Sequence, residues 1–199
     1  DVLIHPDSAY LYIIDFFTGL NTFSLTEPRH PRLLSTVATH PDTGGHDLLF
    51  RNGYLYASNY NYGYNVFNLA DPANPVLVNY SPDNIPIYRE LAISQDGRHM
   101  YACADSGLMV YTIQSPTSIV TEYCMTEFER PYDLLIDGNY AYLADFDRGL
   151  YVLDISNYAY IFKQDSLISD SRVSSVVKFD DNHIVMGLWD EGFNIVNVS

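Results

Sequence analysis

The stretch Gly149-Leu-Tyr-Val-Leu-Asp-Ile-Ser-Asn157 decides the fold. Its apolar and aromatic residues follow strand periodicity, and no three-and-four helical spacing competes with it. Four further copies run through the chain: Gly19-Leu-Asn-Thr-Phe-Ser-Leu, Gly63-Tyr-Asn-Val-Phe-Asn-Leu, Gly107-Leu-Met-Val-Tyr-Thr-Ile and Gly192-Phe-Asn-Ile-Val-Asn-Val. The five glycines recur at intervals of 42 to 44 residues.

Working outward from each glycine, a tyrosine-rich run precedes it, as in Tyr10-Leu-Tyr-Ile-Ile, Tyr54-Leu-Tyr-Ala and Tyr140-Ala-Tyr-Leu-Ala. Aromatic and β-branched residues favour strands. An earlier run (Leu48-Leu-Phe, Leu134-Leu-Ile) is joined to it by turn words such as Arg51-Asn-Gly, which favour tight hairpins. A fourth run follows the glycine strand, as in Leu33-Leu-Ser-Thr-Val and Val76-Leu-Val-Asn-Tyr. Each period therefore reads as four antiparallel strands, the size of a propeller blade. The expected fold is all-β: a β-propeller of five four-stranded blades, the last lacking its outer strand. We read one domain over 1–199 with repeats near 1–43, 44–87, 88–130, 131–172 and 173–199.

Gly149 to Asn157, and Gly63 to Val78 with its Asp71-Pro-Ala-Asn-Pro continuation, resemble the LVIVD-repeat β-propeller family. The third unit departs, with a shorter hairpin and no Asp-Pro link. The resemblance implies a secreted or surface-attached protein more than an activity. Ser94-Gln-Asp-Gly-Arg-His-Met-Tyr also resembles lactonase-like propellers.

The chain stops after the third strand of its last unit. A segment preceding Asp1 is expected to supply the fourth strand and close the ring; further blades are the competing expectation. The 10 Lys plus Arg against 25 Asp plus Glu give a net charge of −15, which repels phosphate backbones and makes nucleic acid a poor partner. No stretch has the run of apolar residues a membrane-spanning helix needs. Cys103 and Cys124 fall on the second and fourth strands of one blade, too far apart for a disulfide.

Two chemistries recur on one face. At the first-strand starts stand Asp1, Asp47, Glu90 and Asp133, with Ser175 in the fifth unit. They read either as a calcium-type cation site or as carboxylates taking hydrogen bonds from the adjoining blade, with Arg89, Arg130 and Arg172 near enough to pair with them. Three residues before the repeat glycine come Phe16, Tyr60, Phe146 and Trp189, with Phe17 and Tyr62 beside them and Ala104 in the third unit. These rings read as a binding surface for protein or glycan, or as wedges between blades. His40-Pro-Asp-Thr-Gly-Gly-His46 reads as a zinc-binding pair or a turn.

No nucleophile elbow or phosphate-binding glycine loop is present in the sequence. Three functions fit. The first is a non-enzymatic module binding protein or glycan outside the cell or at its surface. The second is a lactonase-like metal-assisted hydrolase. The third is a structural subunit whose last blade receives a donated strand.

Overall fold

In the computed structural model of the chain, residues 1–7, 9–39, 44–60, 63–81 and 88–199 are described, the last range without the side chain of Tyr88. The described residues are all-β. Four four-stranded antiparallel sheets are β1 (Val2–Ile4) to β4 (Arg32–Val37), through β2 (Tyr10–Asp15) and β3 (Gly19–Ser24); β5 (Gly45–Arg51) to β8 (Val76–Tyr80), through β6 (Tyr54–Asn59) and β7 (Tyr64–Asn68); β9 (Tyr88–Ile93) to β12 (Ser118–Met125), through β10 (His99–Ala104) and β11 (Gly107–Ser115); and β13 (Pro131–Asp137) to β16 (Phe162–Ile168), through β14 (Tyr140–Asp145) and β15 (Gly149–Asp154). A three-stranded sheet follows: β17 (Val173–Lys178), β18 (His183–Leu188) and β19 (Gly192–Asn197). In every sheet the strands lie in chain order, as the tandem pattern predicts.

The turn words act as expected. Arg51 pairs with Tyr54 across a two-residue loop whose Asn52 and Gly53 both have positive φ, 50° and 78°, the conformation an Asn-Gly hairpin supplies. Register shifts recur at equivalent places: between Gly45 and Leu48, Pro131 and Asp133, and Val173 and Ser175 in the first strands, and three residues after the glycine in β3, β7 and β15. Such bulges bend the strand and re-aim its side chains.

The repeat glycine has a steric cause. A Cβ on Gly19, Gly107 or Gly149 would collide with the carbonyl oxygen of Val37, Met125 or Leu167, on the outer strand of the same sheet. At Gly192, whose sheet has no fourth strand among the described residues, a Cβ would meet nothing within 4 Å.

The chain packs as two compact units, one of residues 1–91 with 114–119, the other of 92–113 with 120–199. In the first, β5 packs on β1 and β2. Tyr12, Ile14, Leu20, Leu55 and Phe67 make its core, each buried side chain contributing about 1.5–3 kcal/mol. In the second, β13 meets β10, and β17 meets β13 and β14. One cluster there joins Tyr101, Val110, Leu134, Leu143 and Leu153; another joins Leu150, Val176, Ile184 and Met186. The inner strands thus bury side chains against a neighbouring sheet, whereas β16 is exposed along its whole length. Cys103 is buried and Cys124 half-buried, and no disulfide joins them, as their strands require.

Candidate functional site

In the first unit the β2–β3 hairpin ends in Phe16 and Phe17. Asp15 shapes that tip, its Oδ1 accepting from the amides of Phe17 and Thr18 at 2.8 Å and from the Thr18 hydroxyl at 3.0 Å. These donors hold the carboxyl below the usual carboxylate range. The Phe16 carbonyl accepts from the Gly44 amide at 2.8 Å, tying the tip to the start of the next blade. There the Phe16 ring meets Tyr60 edge-on at 5.9 Å, and Tyr60 stacks on His46 at 6.2 Å. His46 Nδ1 donates to the Arg89 carbonyl at 2.9 Å, and burial pushes its pKa down. Phe17 is 78% exposed. Tyr62 and His40 lie outside the described residues, and with His40 the choice between a zinc pair and a turn at His40–His46.

The second unit repeats the arrangement. Asp145 at the end of β14 accepts from the amides of Glu129, Arg130 and Asp147 at 2.8–3.2 Å. This fixes the tip that carries Phe146. The Phe146 carbonyl takes the Val173 amide of the next blade at 3.3 Å. Tyr132 stacks on the Phe146 ring at 5.0 Å and Trp189 meets it edge-on at 5.6 Å. The guanidinium carbons of Arg130 and Arg172 lie 5.0 Å and 5.6 Å from its centroid. Cations over an aromatic face are attracted by its quadrupole. Phe146 is buried at 7% exposure, whereas Trp189 is 59% exposed. The aromatic series therefore divides, with Phe146 a wedge between adjacent blades and Phe17 and Trp189 displayed beside such contacts.

The strand-start acids are placed otherwise than a cation site requires. Asp1 Oδ2 accepts from the Leu48 amide at 3.1 Å and Asp47 Oδ2 from the Leu91 amide at 3.1 Å. In the second unit Asp133 Oδ2 accepts from the Val176 amide at 2.7 Å and its Oδ1 from Leu134 at 2.7 Å. Each acid reaches the first strand of the following blade. Asp47 and Asp133 sit at the first-strand register shifts, which turn their carboxylates toward those amides. Burial raises the Asp133 pKa, opposed by the two amides. Glu90 occupies the equivalent place in β9, half-buried.

The expected cation site of Asp1, Asp47, Glu90 and Asp133 is thus corrected. Among the described residues no three His, Cys, Asp or Glu side chains group so as to hold a metal ion, because the aspartates are spent on backbone amides. The arginines also differ from expectation. Arg130 pairs with Asp147 at 2.8 Å, not with a strand-start acid, and Arg172 stacks on Phe146. Arg148 pairs through Nε with Glu129. Tyr132 was not picked out from the sequence; its place just after Arg130-Pro131, at a strand start facing Phe146, is the signal that would have found it.

Residues 132–166 match the family model described as LVIVD repeat. The sequence matches no curated protein. Solved structures with the same fold include the periplasmic gluconolactonase PpgL of Pseudomonas aeruginosa, 13% identical with a TM-score of 0.75 over 98% of this chain and 64% of that one. The Cps50 (Swd1) β-propeller domain of Myceliophteria thermophila is 12% identical, with a TM-score of 0.77 over 100% of this chain and 69% of its own. PorZ, a surface component of the type-IX secretion system of Porphyromonas gingivalis, is 11% identical, with a TM-score of 0.77 over 99% of this chain and 32% of its own. The chain thus spans less than two thirds of PpgL and about a third of PorZ. Identities this low carry the fold alone. The chain thus has a β-propeller fold within which residues 132–166 match the LVIVD repeat.

Proposed function

We propose that this chain is a non-enzymatic binding module, working outside the cell or at its surface, that takes a protein or a glycan on its aromatic hairpin tips. The observation that carries this reading is the division of the rings. In each unit the tips of adjacent blades are locked ring to ring, while Phe17 and Trp189 keep most of their surface in solvent. Rigid amphipathic rings give contact area at low entropic cost. A net charge of −15 turns the choice of protein partner toward basic surfaces. Lactonase-like hydrolysis would need the strand-start acids to converge, and Asp1, Asp47 and Asp133 are each committed to a main-chain amide.

The test is binding of the wild type, Trp189→Ala and Phe17→Ala to a glycan array and to intact cells. Loss of binding by either variant, with unchanged circular dichroism, supports the reading; full binding by both overturns it.

A second reading rests on β19. Among the described residues its outer edge carries no strand, and Phe193 and Ile195 on it are 65% and 53% exposed. An edge of this kind accepts a further strand by main-chain pairing. A donated strand, from a neighbouring chain, would protect the β19 amides from hydrogen exchange; free exchange there rejects the reading.

A further inference from the structure

At the other end of the β14 strand from Phe146, the second unit has a cavity of about 400 Å³ between its first two blades. Ligand pockets commonly occupy ~300–1,000 Å³. Asp96, His99 and Tyr101 come from the β9–β10 hairpin, Asn139 from the β13–β14 hairpin, and Ser156 and Tyr158 from the link after β15. None of these residues belongs to the aromatic tips.

The walls are held in place. Tyr158 stacks on His99 with ring centroids 3.8 Å apart, and its carbonyl accepts the Tyr123 hydroxyl at 2.6 Å. Burial pushes the His99 pKa down, so near neutral pH the stack is uncharged. Asp96 Oδ1 accepts from the Ser94 hydroxyl at 2.6 Å and from the Arg98 amide at 3.0 Å, which keeps the carboxyl ionised.

One polar group on this wall is left over. Tyr101 is 1% exposed and lines the cavity, and none of the hydrogen bonds seen among the described residues involves its hydroxyl. Burial pushes that phenol up to about 12, so it keeps its proton and remains a donor. Buried hydroxyls are normally paired, and one left over on a cavity wall is suited to a ligand. The Asn139 side chain, exposed at the hairpin tip, adds an amide with both a donor and an acceptor.

We infer that this cavity binds a neutral sugar ring, its C–H face against Tyr158 and its hydroxyls shared among Tyr101, Asp96 and Asn139. The ring is either a free monosaccharide or the end residue of a glycan. A carboxylate acceptor, a phenol donor and an amide of both kinds match the alternating donors and acceptors of a polyol. Asp96 opposes an anionic ligand. This inference is independent of the aromatic tips and stands or falls without them.

The experiment is titration calorimetry of the intact chain with a panel of hexoses, N-acetylhexosamines and short neutral oligosaccharides, and with lysine and arginine methyl esters as cationic probes. Tyr101→Phe keeps the ring and removes only the hydroxyl; it is expected to weaken sugar binding about fivefold. Asp96→Asn is expected to weaken it at least as much, and Trp189→Ala to leave it unchanged. Binding of monosaccharides identifies a free sugar, and binding of oligosaccharides alone identifies a glycan end; both support the inference. No sugar binding, binding by the cationic probes only, or sugar binding that Tyr101→Phe and Asp96→Asn both leave intact overturns it.

Discussion

The Phe146 ring meets Trp189 at 5.6 Å with 70° between their planes, so one buried ring holds a mostly exposed one. Phe146→Ala empties a packed position and is expected to cost about 3 kcal/mol. Trp189→Ala, at a displayed ring, is expected to cost about 1 kcal/mol or less. Urea unfolding of the two variants measures the difference. Equal losses would mean that both rings are wedges and that the displayed surface is smaller than proposed.

Asp133 gives a prediction with a sign. Its pKa is raised in the fold, so just above 3.8 the folded chain keeps a proton that the unfolded chain has released. Its contribution to stability therefore falls as pH rises through that window. Asp133→Asn, which cannot ionise, is expected to remove that slope relative to wild type. Asp133→Ala leaves the Val176 amide without its acceptor and is expected to cost about 1–3 kcal/mol. Denaturant midpoints against pH test the first expectation, and hydrogen exchange at Val176 the second.

His46 acts in the opposite direction. Burial lowers its pKa below the ordinary 6.5, so in that window the unfolded chain binds the proton more readily. The stability it supports is complete above about 6.5 and is lost as pH falls toward the lowered value. His99 is shifted in the same sense, so His46→Gln should flatten part of the acid-side decline. Midpoints at roughly pH 5.5 and 7.5 reveal it. A decline as steep in the variant as in wild type would exclude His46 as a source.

The repeat glycines should respond unequally to alanine. Gly149→Ala drives a methyl into the Leu167 carbonyl at a φ of +121°, and the folded state is expected to lose several kcal/mol, on the order of a severe core substitution. Gly192→Ala meets open space at a φ of +93°; only backbone strain remains, about 1–2 kcal/mol. Thermal melts of the pair decide it.

Strand order and blade size were legible in the chain because alternation, Asn-Gly turns and the glycine itself are local signals. The blocking carbonyl at Gly149 lies on Leu167, within the same repeat. The acids were harder to read. Recurrence shows that Asp1, Asp47 and Asp133 occupy one place in the blade, but two readings remain until the first-strand bulge fixes where each carboxylate turns. Arg130 was misread for a related reason. The Asp133 carboxylate is taken up by the amides of Val176 and Leu134, while Asp147, brought close by the Phe146 hairpin, meets the guanidinium at 2.8 Å. The Tyr101 cavity has no sequence signature, since its walls come from three separate turns.

A side-chain oxygen that seeks a main-chain N–H is indifferent to what the recipient residue happens to be; Leu48, Leu91 and Val176 serve alike. A gene that copies this unit in tandem copies both halves of the joint at once, and the new module can dock on its parent before any matching surface has evolved. The body of each module is then at liberty to diverge while the joint is kept.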